Sequence, residues 1–177
     1  MRVITGSAGG RKLKTPENYD IRPTSDTVKE SLFNILQFDI EGRKVLDLFA
    51  GTGQLGIEAL SRGAESCTFV DTSKKALDIV GKNLETCALK GKLVNEDARL
   101  FLKRGGKYDI VFLDPPYASG LYDEILDSIA SADILSQGGC IVAESPRELS
   151  LPELREPYKK LKEYRYGRIK LTLYTRN

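Results

Sequence analysis

The chain has 177 residues, 41% of them hydrophobic, and a formal net charge of +2. This length is enough for one full α/β core and too short for two domains of ordinary size. The chain contains no run of about 18 apolar residues, and its N-terminus lacks the pattern of a signal peptide, so we expect a cytoplasmic protein without a membrane segment.

The cysteine and histidine content excludes several kinds of site. The three cysteines, Cys67, Cys87 and Cys140, stand singly without C-x-x-C spacing, and the chain has no histidine. This composition argues against a zinc site, a disulfide framework and a histidine-based acid–base mechanism. Any chemistry would depend on carboxylates, backbone groups, Tyr, Lys or a cofactor, and no metal is expected.

Charge is distributed unevenly along the chain. Residues 1–24 carry five basic and two acidic side chains, and residues 155–177 carry eight basic and two acidic ones. Between them, residues 25–154 carry fourteen basic and twenty-one acidic side chains. Basic ends around an acidic body favour a polyanion held by the flanks, with a cationic or hydroxyl-rich ligand in the core. Lysines and arginines on ordinary solvated faces are the alternative interpretation.

Residues 1–24 have the pattern of an N-terminal arm. Two short alternating stretches, residues 2–5 and 11–15, flank a Gly-rich segment and predict a β-hairpin. The basic residues on this hairpin are Arg2, Arg11, Lys12 and Lys14.

A helix is predicted directly after the arm. Pro23 and the capping residues that follow it mark the start, and apolar residues at helical spacing extend the helix to about Phe38. Arg22 lies just before this helix, where a guanidinium group can reach a phosphate. An ordinary surface arginine is the alternative.

From residue 43 the pattern alternates between strands and helices. The predicted strands are apolar runs at residues 45–49, 66–70, 93–94, 108–113 and 139–144. The predicted helices span residues 54–62, 73–89, 98–104 and 121–129. Such alternation predicts a parallel, doubly wound sheet, and an alternating hairpin at residues 160–174 would add antiparallel strands at one side. No repeat or linker indicates a second domain.

A glycine-rich loop follows the first of these strands. Residues 51–56 fit the pattern G-x-G-x-x-G between a strand and a helix, where glycines allow a ligand to approach the backbone at a helix N-terminus. Taken alone, this pattern suggests a dinucleotide. Asp47, close behind the glycines, argues against a pyrophosphate and favours a cationic ligand.

Acidic residues stand at the ends of three successive predicted strands. Besides Asp47, these are Asp71, which is placed to bond ribose hydroxyls, and Asp97, which with Ala98 could recognise an adenine. The three carboxylates together describe a site for a nucleoside that carries a positive group, as S-adenosylmethionine does. Capping of the following helices is the alternative for Asp71 and Asp97.

The tetrad Asp114-Pro115-Pro116-Tyr117 follows the predicted strand 108–113, at the carboxyl edge where open α/β sheets bind ligands. The Asp114 carboxylate and the Pro115 carbonyl can each accept an N–H from an amino group on an aromatic ring. Tyr117 offers a face on which that ring could stack, and the prolines stiffen the segment. A proline turn with a capping aspartate is the alternative.

These motifs together resemble the bacterial 16S rRNA guanine-N2 methyltransferases that act at guanine-966. The resemblance rests on residues 45–53, residues 56–64, the tetrad, and Arg22-Pro23-Thr24 before a helix that contains residues 32–36. Many amino-directed methyltransferases share the tetrad, whereas the arm with Arg-Pro-Thr is specific to this family. The chain departs from the family at Thr27, where a basic residue often stands, and keeps a basic residue at Lys29.

The resemblance implies a Rossmann-like class I methyltransferase fold of the α/β class. Its seven-stranded, mostly parallel, doubly wound sheet would have the order 3-2-1-4-5-7-6, with an antiparallel terminal hairpin and an N-terminal β-hairpin arm. The arm would comprise residues 1–24 and the methyltransferase domain residues 25–177. S-adenosylmethionine is the implied cofactor, and 16S rRNA, within the small ribosomal subunit or its assembly intermediate, is the implied partner. A monomer is expected.

The expected site residues form three sets. The catalytic set is Asp114, Pro115, Pro116 and Tyr117. The cofactor-binding set is Asp47, Phe49, Ala50, Gly51, Thr52, Gly53, Gly56, Asp71, Thr72, Asp97 and Ala98. The RNA-binding set is Arg2, Arg11, Lys12, Lys14, Arg22 and Thr24.

Two other functions stay open at this point. An adenine-N6 methyltransferase acting on DNA or RNA would hold its target amine with the same tetrad. A non-catalytic module that binds S-adenosylmethionine or NAD and docks on RNA would not need the tetrad beside the cofactor cleft.

Overall fold

A computed structural model describes residues 1–15, 26–116 and 120–177 of the chain. The described helices are α1 (Asp26–Ile35), α2 (Gln54–Ser61), α3 (Lys74–Cys87), α4 (Ala98–Leu102) and α5 (Tyr122–Ala132). The described strands are β1 (Lys44–Asp47), β2 (Ser66–Asp71), β3 (Lys92–Asn95), β4 (Tyr108–Leu113), β5 (Leu135–Pro146), β6 (Tyr158–Tyr166) and β7 (Ile169–Arg176). None of the described helices combines the length and apolar character needed to cross a membrane.

Within the described residues, the strands form one seven-stranded sheet in the order β3-β2-β1-β4-β5-β7-β6. Neighbours from β3 to β5 pair in parallel, while β7 pairs antiparallel with both β5 and β6. The predicted parallel sheet, its strand order and its antiparallel terminal hairpin are confirmed.

The central strands are buried on both faces, which explains their uninterrupted apolar sequences. Side chains alternate between two hydrophobic clusters, so that Ile110 and Phe112 of β4 point to one face of the sheet and Val111 and Leu113 to the other. Helices α1, α2 and α3 cover the first face, and helices α4 and α5 cover the second. Both faces of the sheet therefore have a core.

Some element boundaries differ from the predicted ones. Helix α1 ends at Ile35 and a turn follows, because Leu36 and Ile40 turn into the core while Phe38 is 89% exposed. Strand β5 begins at Leu135, four residues before the predicted strand, since Leu135 pairs with Tyr108. Pairing with a distant partner extends this strand back through Gly138, although glycine often marks a turn.

The N-terminal arm pairs with itself antiparallel at Arg2 and Lys12, as predicted for a β-hairpin. The Val3 N–H donates to the Arg11 carbonyl at 2.9 Å, and the Leu13 N–H donates to the Met1 carbonyl at 3.1 Å. The backbone of the arm is held by Glu58 of α2, whose carboxylate accepts N–H groups from Ile4 at 2.7 Å and Thr5 at 3.0 Å. Arm side chains join the core beneath α1 and α2; they are Val3, Ala8 and Leu13. The arm is therefore packed on the body of the protein.

Candidate active site

A cavity of about 680 Å³ lies at the carboxyl edge of the sheet, beside the N-termini of α2, α3 and α4. Parallel strands present their carboxyl ends at the same edge, so residues distant in sequence meet there. This volume is typical of small-molecule sites. The predicted residues that line it are Asp47, Phe49, Ala50, Gly51, Thr52, Asp71, Thr72, Asp97, Ala98, Asp114, Pro115 and Pro116.

Gly51 and Asp71 connect the loop after β1 to the end of β2. The Gly51 N–H donates to Asp71 Oδ2 at 2.9 Å, and the Ser73 N–H donates to Asp71 Oδ1 at 2.8 Å. Gly51 has a φ of +52°, and a Cβ placed there would meet no atom within 4 Å. The Ser73 side chain also caps α3. Through its bonds to Gly51 and Ser73, the carboxylate of Asp71 orders both loops, and Asp71 still lines the cavity.

Gly53 and Gly56, both in the cofactor-binding set, lie outside the cavity lining. A Cβ on Gly56 would come within 2.3 Å of the Phe69 ring and 2.6 Å of Cys67 Sγ, so this glycine allows α2 to pack closely on β2. Its N–H also donates to Asp47 Oδ2 at 3.0 Å. The second half of the glycine motif thus shapes the wall of the site through packing and through Asp47.

Asp97 has the capping role that the sequence left as an alternative. Its Oδ1 accepts the backbone N–H of Arg99 at 2.8 Å and caps α4. The Arg99 guanidinium also binds both carboxylate oxygens at 2.8 Å, and this contact lowers the pKa of Asp97 to about 2. Asp97 and Arg99 both line the cavity, so an adenine contact would share this carboxylate with the arginine.

Asp47 is a buried carboxylate in the floor of the cavity, with 3% of its surface exposed. Burial raises its pKa to about 7, the Gly56 N–H opposes this rise, and the charge of Asp71 adds to it. No cation is among the groups that act on it in the described residues. The ionised form of Asp47 would therefore be stabilised by a positive ligand.

Asp114 lies directly after β4 and next to Glu144, because Leu113 pairs with Ala143 in the parallel register. Burial raises the pKa of Asp114 well above its ordinary value, and the charges of Glu144 and Asp47 raise it further. Glu144 is 3% exposed and is not among the predicted site residues. The signal that could have found it is its place at the end of the predicted strand 139–144.

The cavity also has lining residues that the sequence did not indicate. Gln54, the first residue of α2, lines it, and Gln54 Oε1 is buried without a hydrogen-bond partner among the described residues. The apolar part of the wall includes Leu55, Leu121 and Ile125. Such a wall beside acidic groups suits a ligand with an aromatic ring and a positive charge.

The sequence matches the family described as "Conserved hypothetical protein 95" over residues 1–175. The chain belongs to this family. YlbH of Bacillus subtilis (strain 168) is 42% identical to it, and the alignment covers 98% of each chain. A protein of Escherichia coli (strain K12) named "Ribosomal RNA small subunit methyltransferase D" is 37% identical, over 99% of this chain and 90% of its own length.

A solved structure, that of the yhhF protein from Escherichia coli, has the same fold as the present chain. It superposes with a TM-score of 0.90 at 36% identity and covers 100% of this chain and 98% of its own. The resemblance predicted from the glycine loop, the tetrad and the arm is therefore confirmed at the level of family and class I methyltransferase fold.

Four predicted RNA-binding residues of the arm lie within the described residues, and all four are exposed, with different neighbours. Arg2 lies 3.8 Å from the Asp26 carboxylate, and Arg11 Nη1 donates to the carbonyl of Thr86 at 2.6 Å. Lys12 and Lys14 are exposed beside them. Three predicted site residues, Arg22, Thr24 and Tyr117, lie outside the described residues, and their roles stay predictions.

Lys29, the position at which the chain keeps the family's basic residue, is fully buried. Its Nζ lies 3.9 Å from Glu58 Oε2 and donates to the backbone carbonyl of Arg2. Burial lowers the pKa of Lys29, and the charge of Glu58 opposes that change. Lys29 therefore holds the arm to the body and is not a surface contact for a phosphate.

Proposed function

We propose that the protein transfers the methyl group of S-adenosylmethionine to the exocyclic N2 amine of a guanine in 16S rRNA. The observation that carries this proposal is the position of Asp114 and Pro115 in the wall of an acidic cavity built on a class I methyltransferase sheet. Family membership and the name of the Escherichia coli relative support an rRNA substrate. The resemblance noted in the sequence specifies the guanine amine.

The cavity residues fit S-adenosylmethionine. Asp71 retains lone pairs beyond those that bind Gly51 and Ser73, and these would accept ribose hydroxyls. The open space at Gly51 gives room for a ligand against the backbone. Asp47 and Asp114 would face its positive charge. When bound, the cofactor supplies an electrophilic methyl group on a positively charged sulfur.

Asp114 and Pro115 would orient the target amine. A guanine amine is a poor nucleophile because its lone pair is delocalised into the ring, so positioning and electrostatics would account for most of the rate. The Asp114 carboxylate and the Pro115 carbonyl would each accept a hydrogen bond from one N–H of this amine. These two bonds would direct its lone pair at the methyl group.

The charge balance of the cavity would also favour proton removal. Before transfer, a positive ligand would keep Asp114 ionised despite the neighbouring Glu144 and Asp47. Transfer would place the positive charge on the amine nitrogen beside Asp114, and this nitrogen then has to release a proton. Asp114 would then accept that proton.

Product identification tests the proposed reaction. The wild-type protein is incubated with labelled S-adenosylmethionine and small ribosomal subunits that lack the modification, and the rRNA is digested to nucleosides for mass spectrometry. N2-methylguanosine is the expected product. N6-methyladenosine would replace the guanine assignment with the adenine one. Cofactor binding without any transfer would indicate the non-catalytic module.

The cofactor assignment has its own test. Asp71→Ala should weaken the binding of S-adenosylmethionine and of its demethylated product alike, because both have the ribose that Asp71 would bind. Titration calorimetry measures both affinities, with NAD as the control ligand. Comparable NAD affinity that does not respond to Asp71→Ala would contradict the assignment.

The stacking role of Tyr117 is tested by two substitutions. Unstacking the target base costs a few kcal/mol, which stacking on an aromatic ring can offset. Tyr117→Phe keeps the ring and should reduce methyl transfer only mildly, whereas Tyr117→Ala should reduce it severely. Equal losses in the two variants would assign the role to the phenol oxygen.

A further inference from the structure

A second cleft, of about 570 Å³, lies between the end of β5 and the turn that joins β6 to β7. Its lining residues are Arg147, Glu148, Arg165, Gly167 and Arg168. We call it the arginine cleft, after Arg147, Arg165 and Arg168. None of its lining residues lines the cavity at Asp114, and all of them are exposed.

Strand pairing brings the three arginines together. Pro146 pairs with Ile169, and the Arg147 N–H donates to the Arg168 carbonyl at 2.9 Å just beyond that pair. Arg165 pairs with Lys170 across the β6–β7 hairpin. The backbone of three paired strands therefore fixes the positions from which these side chains project.

The arginine cleft lies on the same edge of the sheet as Asp114. Strand β5 runs parallel to β4 and continues three residues past Ala143, the partner of the last residue before Asp114. At the usual strand rise and spacing, Arg147 lies roughly 10 Å beyond Asp114 and about 5 Å to the side. In the sheet order, β5, β7 and β6 lie on the side of β4 opposite β1, β2 and β3. The cofactor cavity and the arginine cleft therefore flank Asp114.

The guanidinium groups of the cleft are only weakly neutralised by the protein. Arg147 lies 3.9 Å from Glu148, and Arg165 lies 3.8 Å from Glu163, in exposed pairs that contribute little binding energy. Glu163 has a closer contact, at 3.0 Å, with Lys170. Arg168 has no ion pair within the described part of the chain.

We propose that the arginine cleft binds backbone phosphates of the RNA on either side of the target nucleotide. Exposed guanidinium groups in a concave site are suited to phosphate, which they can bind through paired hydrogen bonds. A base inserted at Asp114 leaves its flanking backbone along this edge, within reach of the cleft. The inference rests on the proposed function and adds to it a substrate contact outside the predicted arm.

The test is a triple substitution, Arg147→Gln, Arg165→Gln and Arg168→Gln, in the full-length chain. A matched control replaces Lys90, Lys92 and Lys103 with Gln and makes the same change in net charge. These lysines are exposed and line neither the arginine cleft nor the cofactor cavity. The probe is naked 16S rRNA, and binding is measured over a series of salt concentrations. Calorimetry with S-adenosylmethionine and thermal melting check that each variant is folded.

The cleft variant should bind 16S rRNA at least about tenfold more weakly at low salt, with the slope of log affinity against log salt reduced by about 2. Cofactor affinity should not change, and the RNA concentration for half-maximal methylation should rise more than the maximal rate falls. A triple Arg→Lys variant keeps the charge and should recover most of the salt slope without the full affinity. The lysine control should retain wild-type affinity and slope.

Equal behaviour of the cleft variant and the lysine control would overturn the inference. So would an effect seen with assembled subunits and absent with naked rRNA, because it would assign the cleft to a protein surface. Wild-type protein that binds 16S rRNA through the cleft and transfers no methyl group would overturn the proposed function alone. Wild-type protein that binds neither naked 16S rRNA nor small ribosomal subunits would overturn both.

Discussion

Glu58 and Asp47 are buried carboxylates from the same segment of chain, which runs from β1 into α2, and their surroundings differ in kind. Glu58 accepts backbone N–H groups from the arm and has Arg62 at 2.8 Å and Lys29 at 3.9 Å. Asp47 accepts one backbone N–H, from Gly56, and the charge that acts on it is negative. We call Glu58, Lys29 and Arg62 the arm anchor, and Asp47 and Asp114, which both line the cavity, the cavity acids.

This difference separates structure from function. The charge of a buried carboxylate with nearby cations and N–H donors is compensated within the fold. Removing one member of such a group destabilises the protein, because the remaining charges stay buried without compensation. Carboxylates whose charged neighbours are also acidic leave negative charge to be balanced from outside the chain. Perturbed acids in a cavity are therefore candidates for ligand binding and catalysis.

The largest expected effect is on methyl transfer at Asp114. Asp114→Ala should reduce the rate by a factor on the order of 10² or more, the scale of losing a preorganised electrostatic contact. Stability should not fall with it, because the substitution removes a charge that its acidic neighbours oppose. Single-turnover rates and urea unfolding measure the two quantities. Asp114→Asn should retain more activity than Ala if accepting a hydrogen bond is the main role, and no more if proton removal is limiting.

The arm anchor should show the opposite behaviour. Glu58→Ala should lower the free energy of unfolding by about 3 to 5 kcal/mol, because it leaves Lys29 as an uncompensated buried charge. Adding Lys29→Met should recover part of the loss, and this can be measured by urea unfolding of the single and double variants. Limited proteolysis should cut the arm faster in the single variant. Wild-type stability of Glu58→Ala would contradict the anchoring role.

Two glycines of one motif should separate packing from ligand binding. Gly56→Ala should lower stability by about 1 to 3 kcal/mol, the usual cost of overpacking, because its Cβ would collide with Phe69 and Cys67. The Cβ of Gly51→Ala would meet no atom, and the substitution should lower stability by about 1 to 2 kcal/mol because of the positive φ at this position. It should also weaken the binding of S-adenosylmethionine, because the Cβ would enter the cavity that Gly51 lines. Thermal melting and calorimetry on both variants would show whether the two effects separate in this way.

The last prediction concerns the dependence of stability on pH. The pKa of Asp47 is raised in the folded protein to about 7, so between about pH 4 and 7 the folded chain holds a proton that the unfolded chain releases. The contribution of Asp47 to stability is therefore complete at low pH and is lost as the pH rises through this range. Asp47→Asn should flatten that fall when urea unfolding is measured at several pH values. Parallel curves for wild type and variant would show that Asp47 titrates normally.

The sequence determined the order of strands and helices, because buried parallel strands and amphipathic helices have distinct hydrophobic periods. It also located most of the cavity, since the rule that ligands bind at the carboxyl ends of parallel strands applies to any acidic residue that follows such a strand. Asp47, Asp71, Asp97 and Asp114 were found in this way, and all of them line one cavity.

Tertiary structure decided what each charged group faces. Lys29 is a basic residue of a predicted amphipathic helix, and only the structure shows that it is buried against Glu58. Asp97 is held by Arg99 through a contact that strand-end position does not predict. Glu144 becomes a neighbour of Asp114 only through the register of β4 and β5, and Arg147 meets Arg165 and Arg168 only when β5, β7 and β6 pair. Local periodicity specifies which face of an element is apolar, whereas the sign and distance of neighbouring charges depend on pairings between residues far apart in the chain.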